Sequence, residues 1–193
     1  MTPALADAAF SACGRYRWWL WRQWHRERPL LLFVGLNPSR ADGAHDDATL
    51  RRLVGFARQW DYGALLVLNL FARISPSPAL LRRAADPVGA ETDAWLQRAL
   101  TGTVAAAGGS IGVPAAVWLG WGNRGTWLGR DRQVLALLGS RAPLLCLGLT
   151  RQGQPRHPLY APAGTNPQAW GILDTRTASP WPAPLAATPS ICT

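Results

Sequence analysis

The chain contains no lysine, so all 20 of its basic residues are arginine, set against only 11 acidic residues. It has one methionine and three cysteines, Cys13, Cys146 and Cys192. Their number is odd and their spacing wide, which excludes a disulfide framework, a CxxC redox pair and zinc or iron–sulfur ligand spacing. No apolar run reaches the roughly 18 residues of a membrane helix. The N-terminus carries Asp7 and lacks the charged-then-apolar order of a secretory signal. These absences predict a soluble protein of a reducing, cytoplasmic compartment, with no cofactor motif, no metal site and no membrane association.

What is present is enough for a core. The 193 residues are 48% hydrophobic and 16% charged, a composition that excludes a disordered tail and fits one domain. The formal net charge of +9 favours anionic partners through long-range attraction. Arginine in particular stacks on bases and forks onto phosphates. The expected partner is therefore nucleic acid, DNA ahead of RNA, or a nucleotide. Oligomeric state has no signature in the sequence.

Hydrophobic periodicity divides the chain into three parts: a lead-in over residues 1–14, one α/β domain over 15–173 and a Pro/Ala/Thr-rich tail over 174–193. Within the domain, RYRWWLWRQW (15–24) reads as a strand. LLLFVG, ALLVLNL, AAVWL and PLLCL are short apolar runs of the kind that fills a parallel sheet. Between them, helical spacing appears over 47–60, 78–84, 90–107 and 127–138, with a further short helix near 167–173. The expected fold class is α/β: a three-layer α/β/α arrangement around a mainly parallel four-stranded sheet. Ligands of such sheets bind beyond the carboxyl ends of the strands. The segments 36–47, 69–73, 120–127 and 148–160 are the places to look.

Each of these segments holds polar residues suited to a site. The first is Gly35-Leu36-Asn37-Pro38-Ser39-Arg40, followed by Asp42, Asp46 and Asp47, three acids within six positions. The glycine permits close backbone approach and the proline fixes the turn, so Asn37 projects a short amide. The same acids could cap the next helix, or hold magnesium against phosphates. The second segment supplies Asn69 and Arg73, and the third Asn123 and Arg124 among glycines. The fourth supplies Arg156, His157, Leu159 and Tyr160. No GxSxG elbow, P-loop or GxGxxG fingerprint is present.

Taken in order, YRWWLWRQW, LFVGLNPSRAD, DDATLRRLVGFARQWDYGALLVLNLFA, DPVG and GQPRHPLY resemble the DUF1643 family of bacterial and phage proteins over residues 13–162. A more distant resemblance is to the mismatch-specific branch of the uracil-DNA glycosylase superfamily. It rests on GLNPS, a strand ending in Asn69-Leu70, the WLG at 118–120 and the late His157-Pro158. In that branch the first motif reads Gly-Ile-Asn-Pro-Gly; here Ser39 replaces the second glycine, and Leu159-Tyr160 replaces a small Ser-Pro pair.

This resemblance implies hydrolysis of an N-glycosidic bond in nucleic acid. Asn37 would position water, with help from one of Asp42, Asp46 or Asp47, and His157 would stabilise the departing base. Leu159 or Tyr160 would wedge into the stack. Ser39, Arg40, Asn69, Arg73, Asn123, Arg124 and Arg156 would contact nucleic acid. Two alternatives remain at this point. One is a non-catalytic nucleic-acid-binding module on the same fold. The other is a metal-dependent nucleotide or phosphate enzyme using Asp42, Asp46 and Asp47.

Overall fold

The computed structural model describes residues 5–38, 45–107 and 109–171. The tail expected over 174–193 lies outside the described residues, as do Ser39, Arg40 and Asp42. The architecture is mixed α/β around a central sheet.

The lead-in begins with β1 (Leu5–Phe10), which pairs antiparallel with β2 (Arg17–Gln23). Residues 5–10 of the lead-in are thus a strand of the sheet. The alternation that marks an edge strand is weak here because Leu5 and Phe10 stay partly exposed. β2 is buried from Arg17 to Arg22 and turns its tryptophans into the core.

The chain then enters β3 (Leu30–Gly35), α1 (Ala48–Gln59) and β4 (Ala64–Asn69), a crossover unit with its two strands parallel. Every residue of β3 and β4 is buried, as expected of parallel strands covered on both faces. α1 starts at Asp47, whose side chain accepts from the Leu50 amide at 2.8 Å. Leu50, Leu53, Phe56 and Ala57 form its buried stripe.

α2 (Pro78–Leu81) and α3 (Thr92–Leu100) follow, then a small hairpin of β5 (Ala105–Ala106) and β6 (Gly109–Ser110). The helices expected over 78–84 and 90–107 are therefore shorter than their periodicity. Asp86-Pro87 follows the first, and Gly102, at φ +70°, turns the chain after the second. β7 (Ala116–Leu119) leads through a 3-10 stretch at Asn123–Gly129 into α4 (Arg130–Leu138). Left-handed Leu128 and Gly129 explain why that helix does not begin at 127. β8 (Leu144–Cys146) and β9 (Gln168–Ala169) complete the sheet. The short helix expected near 167–173 is thus replaced by an edge strand that pairs antiparallel with β8. The Trp170 amide donates to the Leu144 carbonyl at 2.8 Å, and Gly171 at φ +93° turns the chain, so the backbone there is spent on the sheet rather than on a helix.

The strand order is β1-β2-β4-β3-β7-β8-β9, seven strands rather than the four expected. The four apolar runs read as the parallel sheet are its centre, β4-β3-β7-β8, and the strand read over 15–24 joins them as β2. β1, β2 and β9 are antiparallel additions. Buried side chains of α1 join one core cluster, with Phe33, Val67 and Trp118. Those of α2, α3 and α4 join a second, with Trp19, Trp21, Leu32 and Leu66. Burial of such side chains contributes about 1.5–3 kcal/mol each.

One buried charge ties α1 to this frame. The Arg22 guanidinium, 1% exposed, reaches Asp46 Oδ1 from Nη2 at 2.8 Å and from Nε at 2.9 Å. Arg22 Nη1 also donates to the Trp21 carbonyl at 2.9 Å, and Asp46 is partly exposed, so the loss of the Asp46 charge weakens a charge-assisted contact without stripping the guanidinium bare. Asp46→Asn is therefore expected to lower unfolding stability by about 1–2 kcal/mol in urea titration, and a loss below about 0.5 kcal/mol would show that the pair does not anchor the helix.

Candidate functional site

The chain leaves β3 toward β4 on one side of the sheet, and later reaches β7 on β3's other side. The loops after β3 and β7 consequently diverge, which opens a crevice at their carboxyl ends. A cavity of about 850 Å³ occupies this place. It is lined at four strand ends: by 35–38 at the end of β3, Asn69 and 75–78 at and beyond the end of β4, 121–124 after β7, and His157, Leu159 and Tyr160 after β8. Asp47, Thr49 and Leu50 at the start of α1 close one wall.

Two glycines fit this floor to the Phe33 ring. A Cβ at Gly35 would stand 2.9 Å from Phe33 Cε1, and one at Gly120 would stand 2.5 Å from Cε2. The Gly120 position also lies 3.1 Å from Pro158 Cδ, so the His157-Pro158 turn packs down where a side chain would otherwise stand. The loop after β8 is held from its other end. Trp121 Nε1 donates to Gln154 Oε1 at 2.7 Å, and Gln154 Nε2 donates to Asp131 Oδ2 at 3.1 Å. Arg52 on α1 donates to the Ala161 carbonyl.

Asn37 follows β3 and is fixed by its nitrogen. Nδ2 donates to the carbonyl oxygens of Pro38 at 3.0 Å and Ser75 at 3.1 Å. Its Oδ1 is left as the group that can meet a ligand. Asn69, at the end of β4, is buried beside it and pairs in register with Gly35. Its carboxamide is satisfied on both sides in the orientation that turns its nitrogen to the carbonyls of Asn37 and Leu68, 3.3 Å from each, and its oxygen to donors of the protein.

His157 caps the 3-10 turn Pro158–Tyr160, its Nδ1 accepting from the Leu159 amide at 3.3 Å. In the neutral ring the proton is then on Nε2, which makes this atom a donor. Burial lowers the His157 pKa below 6.5, opposed in part by the charge of Asp47. The imidazole is neutral at pH 7, and the carboxylate of Asp47 belongs to the same electrostatic environment.

The cavity therefore brings together Asn37, Asp47, Asn69, Asn123, Arg124, His157, Leu159 and Tyr160. Asn123 Oδ1 accepts from the Thr150 hydroxyl, and Arg124 is exposed at the rim. Leu159 and Tyr160 are 45% and 81% exposed, an apolar lip on the same rim. Three expected residues stand elsewhere. Asp46 is the counterion of Arg22 and does not line the cavity. Arg73 lies over the Tyr16 ring at 5.6 Å and borders a separate cleft of about 280 Å³. Arg156 turns its Nε to the Leu149 carbonyl at 2.9 Å.

The two described acids of the expected cluster thus do not converge, because Asp46 faces β2 whereas Asp47 caps α1. Among the described residues, no group of three or more His, Cys, Asp or Glu is placed to hold a metal ion. Among them too, no helix is long and apolar enough to cross a membrane. Sequence reading missed Arg17, Phe33, Trp121 and the wall Ser75–Pro78. The alternating Ser-Pro-Ser-Pro just beyond Arg73 was the available signal for the wall. A buried arginine at a strand end was the signal for Arg17.

A family model described as "Protein of unknown function (DUF1643)" matches residues 17–159. The chain belongs to the DUF1643 family. The matched span runs from Arg17 at the cavity floor to Leu159 at its lip, so it contains nearly the whole site. No curated protein and no solved structure matches the chain.

The histidine environment makes a pH prediction. A histidine with a lowered native pKa binds more protons unfolded than folded between the native value and 6.5. Stability from this group is complete above pH 6.5 and declines as pH falls through that window. The Cε1–H resonance of His157 is expected to titrate below pH 6.5, and His157→Gln to flatten the acid limb of unfolding stability. A midpoint at or above 6.5 would contradict the burial argument.

Proposed function

We propose that this DUF1643 protein is a uracil-DNA glycosylase-like hydrolase acting on a base in nucleic acid, DNA ahead of RNA. The observation that carries the reading is the meeting of Asn37 and neutral His157 in one cavity at the carboxyl ends of the parallel strands. The sequence resemblance supports it, as do helices against both faces of a sheet whose parallel strands run in the order β4-β3-β7-β8. On this reading the fold is the three-layer α/β/α arrangement of that superfamily.

The chemistry divides between the two side chains. Asn37 Oδ1 accepts a hydrogen bond from a water and holds its lone pair toward the sugar carbon. The glycosidic bond breaks with its electron pair leaving on the base, and the sugar passes through an oxocarbenium-like state that the water oxygen captures by bonding to the sugar carbon; the proton that the water sheds to solvent balances the one the departed base takes up. His157 Nε2–H donates to the oxygen of the base on which negative charge develops. A neutral donor at this position needs no solvent rearrangement during the reaction. Asp47, one loop away, favours the positive charge on the sugar. The base reaches the cavity by leaving the stack. Leu159 and Tyr160 fill the space it vacates, and rim arginines such as Arg124 hold flanking phosphates.

Release of free base tests the reading. The protein is incubated, in chelator, with single- and double-stranded oligonucleotides carrying uracil, mismatched thymine, deaminated purines or modified pyrimidines, and products are read by mass spectrometry. Wild type is expected to release one of these bases. Asn37→Ala and His157→Ala are expected to slow release by about 100-fold or more while remaining folded. Salt-dependent retention of DNA without release, equal in all three proteins, would replace the hydrolase with a binding module. Release that requires added divalent metal would favour a phosphate-directed enzyme.

A further inference from the structure

A second cleft, of about 280 Å³, opens beside the Ser75–Pro76 ridge. Both ridge residues also line the cavity that holds Asn37 and His157, so the two spaces are neighbours. Two residues of chain span at most about 7 Å, a width that one sugar-phosphate step crosses. The ridge is fixed from within. Its Ser75 carbonyl accepts from Asn37 Nδ2 at 3.1 Å, and the Ser75 hydroxyl donates to the Ser77 carbonyl at 2.8 Å.

Arg73 and Arg83 flank the cleft, with Ile74, Leu80 and Ala84 as its apolar lining, and among the described residues no carboxylate lines it. Arg73 is mounted rigidly. Its guanidinium lies over the Tyr16 ring at 5.6 Å, and that ring stacks on Trp18 at 5.5 Å. The Tyr16 hydroxyl donates to the Asp86 carbonyl at 3.0 Å. The backbone is tied down as well, because the Arg73 amide donates to the Pro87 carbonyl and the Ile74 amide to the Arg15 carbonyl.

Stacking on a ring occupies the face of a guanidinium and leaves its N–H edge for an anion. Among the described residues, no carboxylate forms an ion pair with Arg73 or Arg83. Two such edges beside apolar carbon suit a phosphodiester with its sugar, the oxygens on the arginines and the deoxyribose against half-exposed Leu80. The cleft also has a direction. Arg124 follows β7, whereas Arg73 follows β4, and these strands lie on opposite sides of β3.

We propose that the cleft is a second subsite, which takes the phosphodiester adjoining the nucleotide whose base occupies the cavity. The proposal rests on the nucleobase reading above and adds the path of the strand. It runs past Arg124, over the cavity mouth, across Ser75–Pro76 and between Arg73 and Arg83. A basic surface attracts phosphates at every position. Two oriented cations in a cleft require one at a single place along the strand.

Neutralising one phosphate at a time tests this. Short deoxyribose-phosphate strands carry one central base, which sets the register, and are otherwise abasic. Uracil, thymine, hypoxanthine, cytosine and adenine are compared, and the tightest binder is kept. Each phosphodiester is then replaced singly by an uncharged methylphosphonate, and equilibrium affinity is measured at fixed salt. One linkage, on one side of the base, is expected to cost at least about tenfold. Arg73→Gln and Arg83→Gln are each expected to weaken the unmodified strand and to remove most of that positional loss. Arg98→Gln deletes an exposed charge over the Trp95 ring that lines neither space, and is expected to leave the positional loss in full. Circular dichroism confirms that the variants fold.

A loss spread evenly along the strand, or a positional loss unchanged in both cleft variants, would overturn the subsite and leave the nucleobase reading standing. Inorganic phosphate bound through Arg73 and Arg83, with no positional loss on the strand, would make the cleft a free-phosphate site and overturn it likewise. A central base that adds no affinity over the fully abasic strand would overturn the nucleobase reading and the strand path together.

Discussion

β3 is paired on both edges and buried on both faces, and the placement of every other element follows from that confinement. A strand with β4 on one side and β7 on the other exhausts its backbone hydrogen bonds in the sheet. Chain leaving its carboxyl end has no neighbour to continue along. The loops there separate toward opposite faces, and polar side chains find room that the core denies them. Gly35 and Gly120 stand at the ends of two adjacent strands, both against Phe33. The crevice is thus a product of topology first and of side-chain chemistry second.

Much of this was legible in the sequence because buried parallel strands have a plain signature. LLLFVG, ALLVLN and AVWL are uninterrupted apolar runs of strand length, and the structure places them side by side. The edges were harder. β9 is two residues long, and β1 mixes alanine with Asp7, so neither carries a period that separates strand from loop. The helix ends were overextended because apolar spacing continues past the residues at which glycine and proline turn the chain. Periodicity reports which face would be buried, whereas left-handed backbone at Gly102 and Leu128 decides where a helix begins or stops.

The site was legible by segment and less so by residue. Asn37, Asn69 and His157 could be found because each is polar directly after an apolar strand or in the late loop. Asp46 and Asp47 are adjacent in sequence and opposite in duty. One neutralises a buried arginine 24 positions away in sequence and the other caps a helix. No local pattern separates the two, since the difference lies in which way successive residues point as the chain enters α1. Arg17 and the Ser75–Pro78 wall come to the cavity by tertiary packing, which spacing along the chain does not encode.

The carbonyls that hold Asn37 and Asn69 have a thermodynamic consequence for whatever enters. A free asparagine side chain samples several rotamers, and ordering it on ligand binding costs conformational entropy. Here the ordering accompanies folding, so an incoming molecule meets carboxamides already set in direction and spacing. Its affinity then depends on matching a fixed pattern, and a poor match has no adaptable side chain to rescue it. A wall of this kind trades breadth of recognition for discrimination.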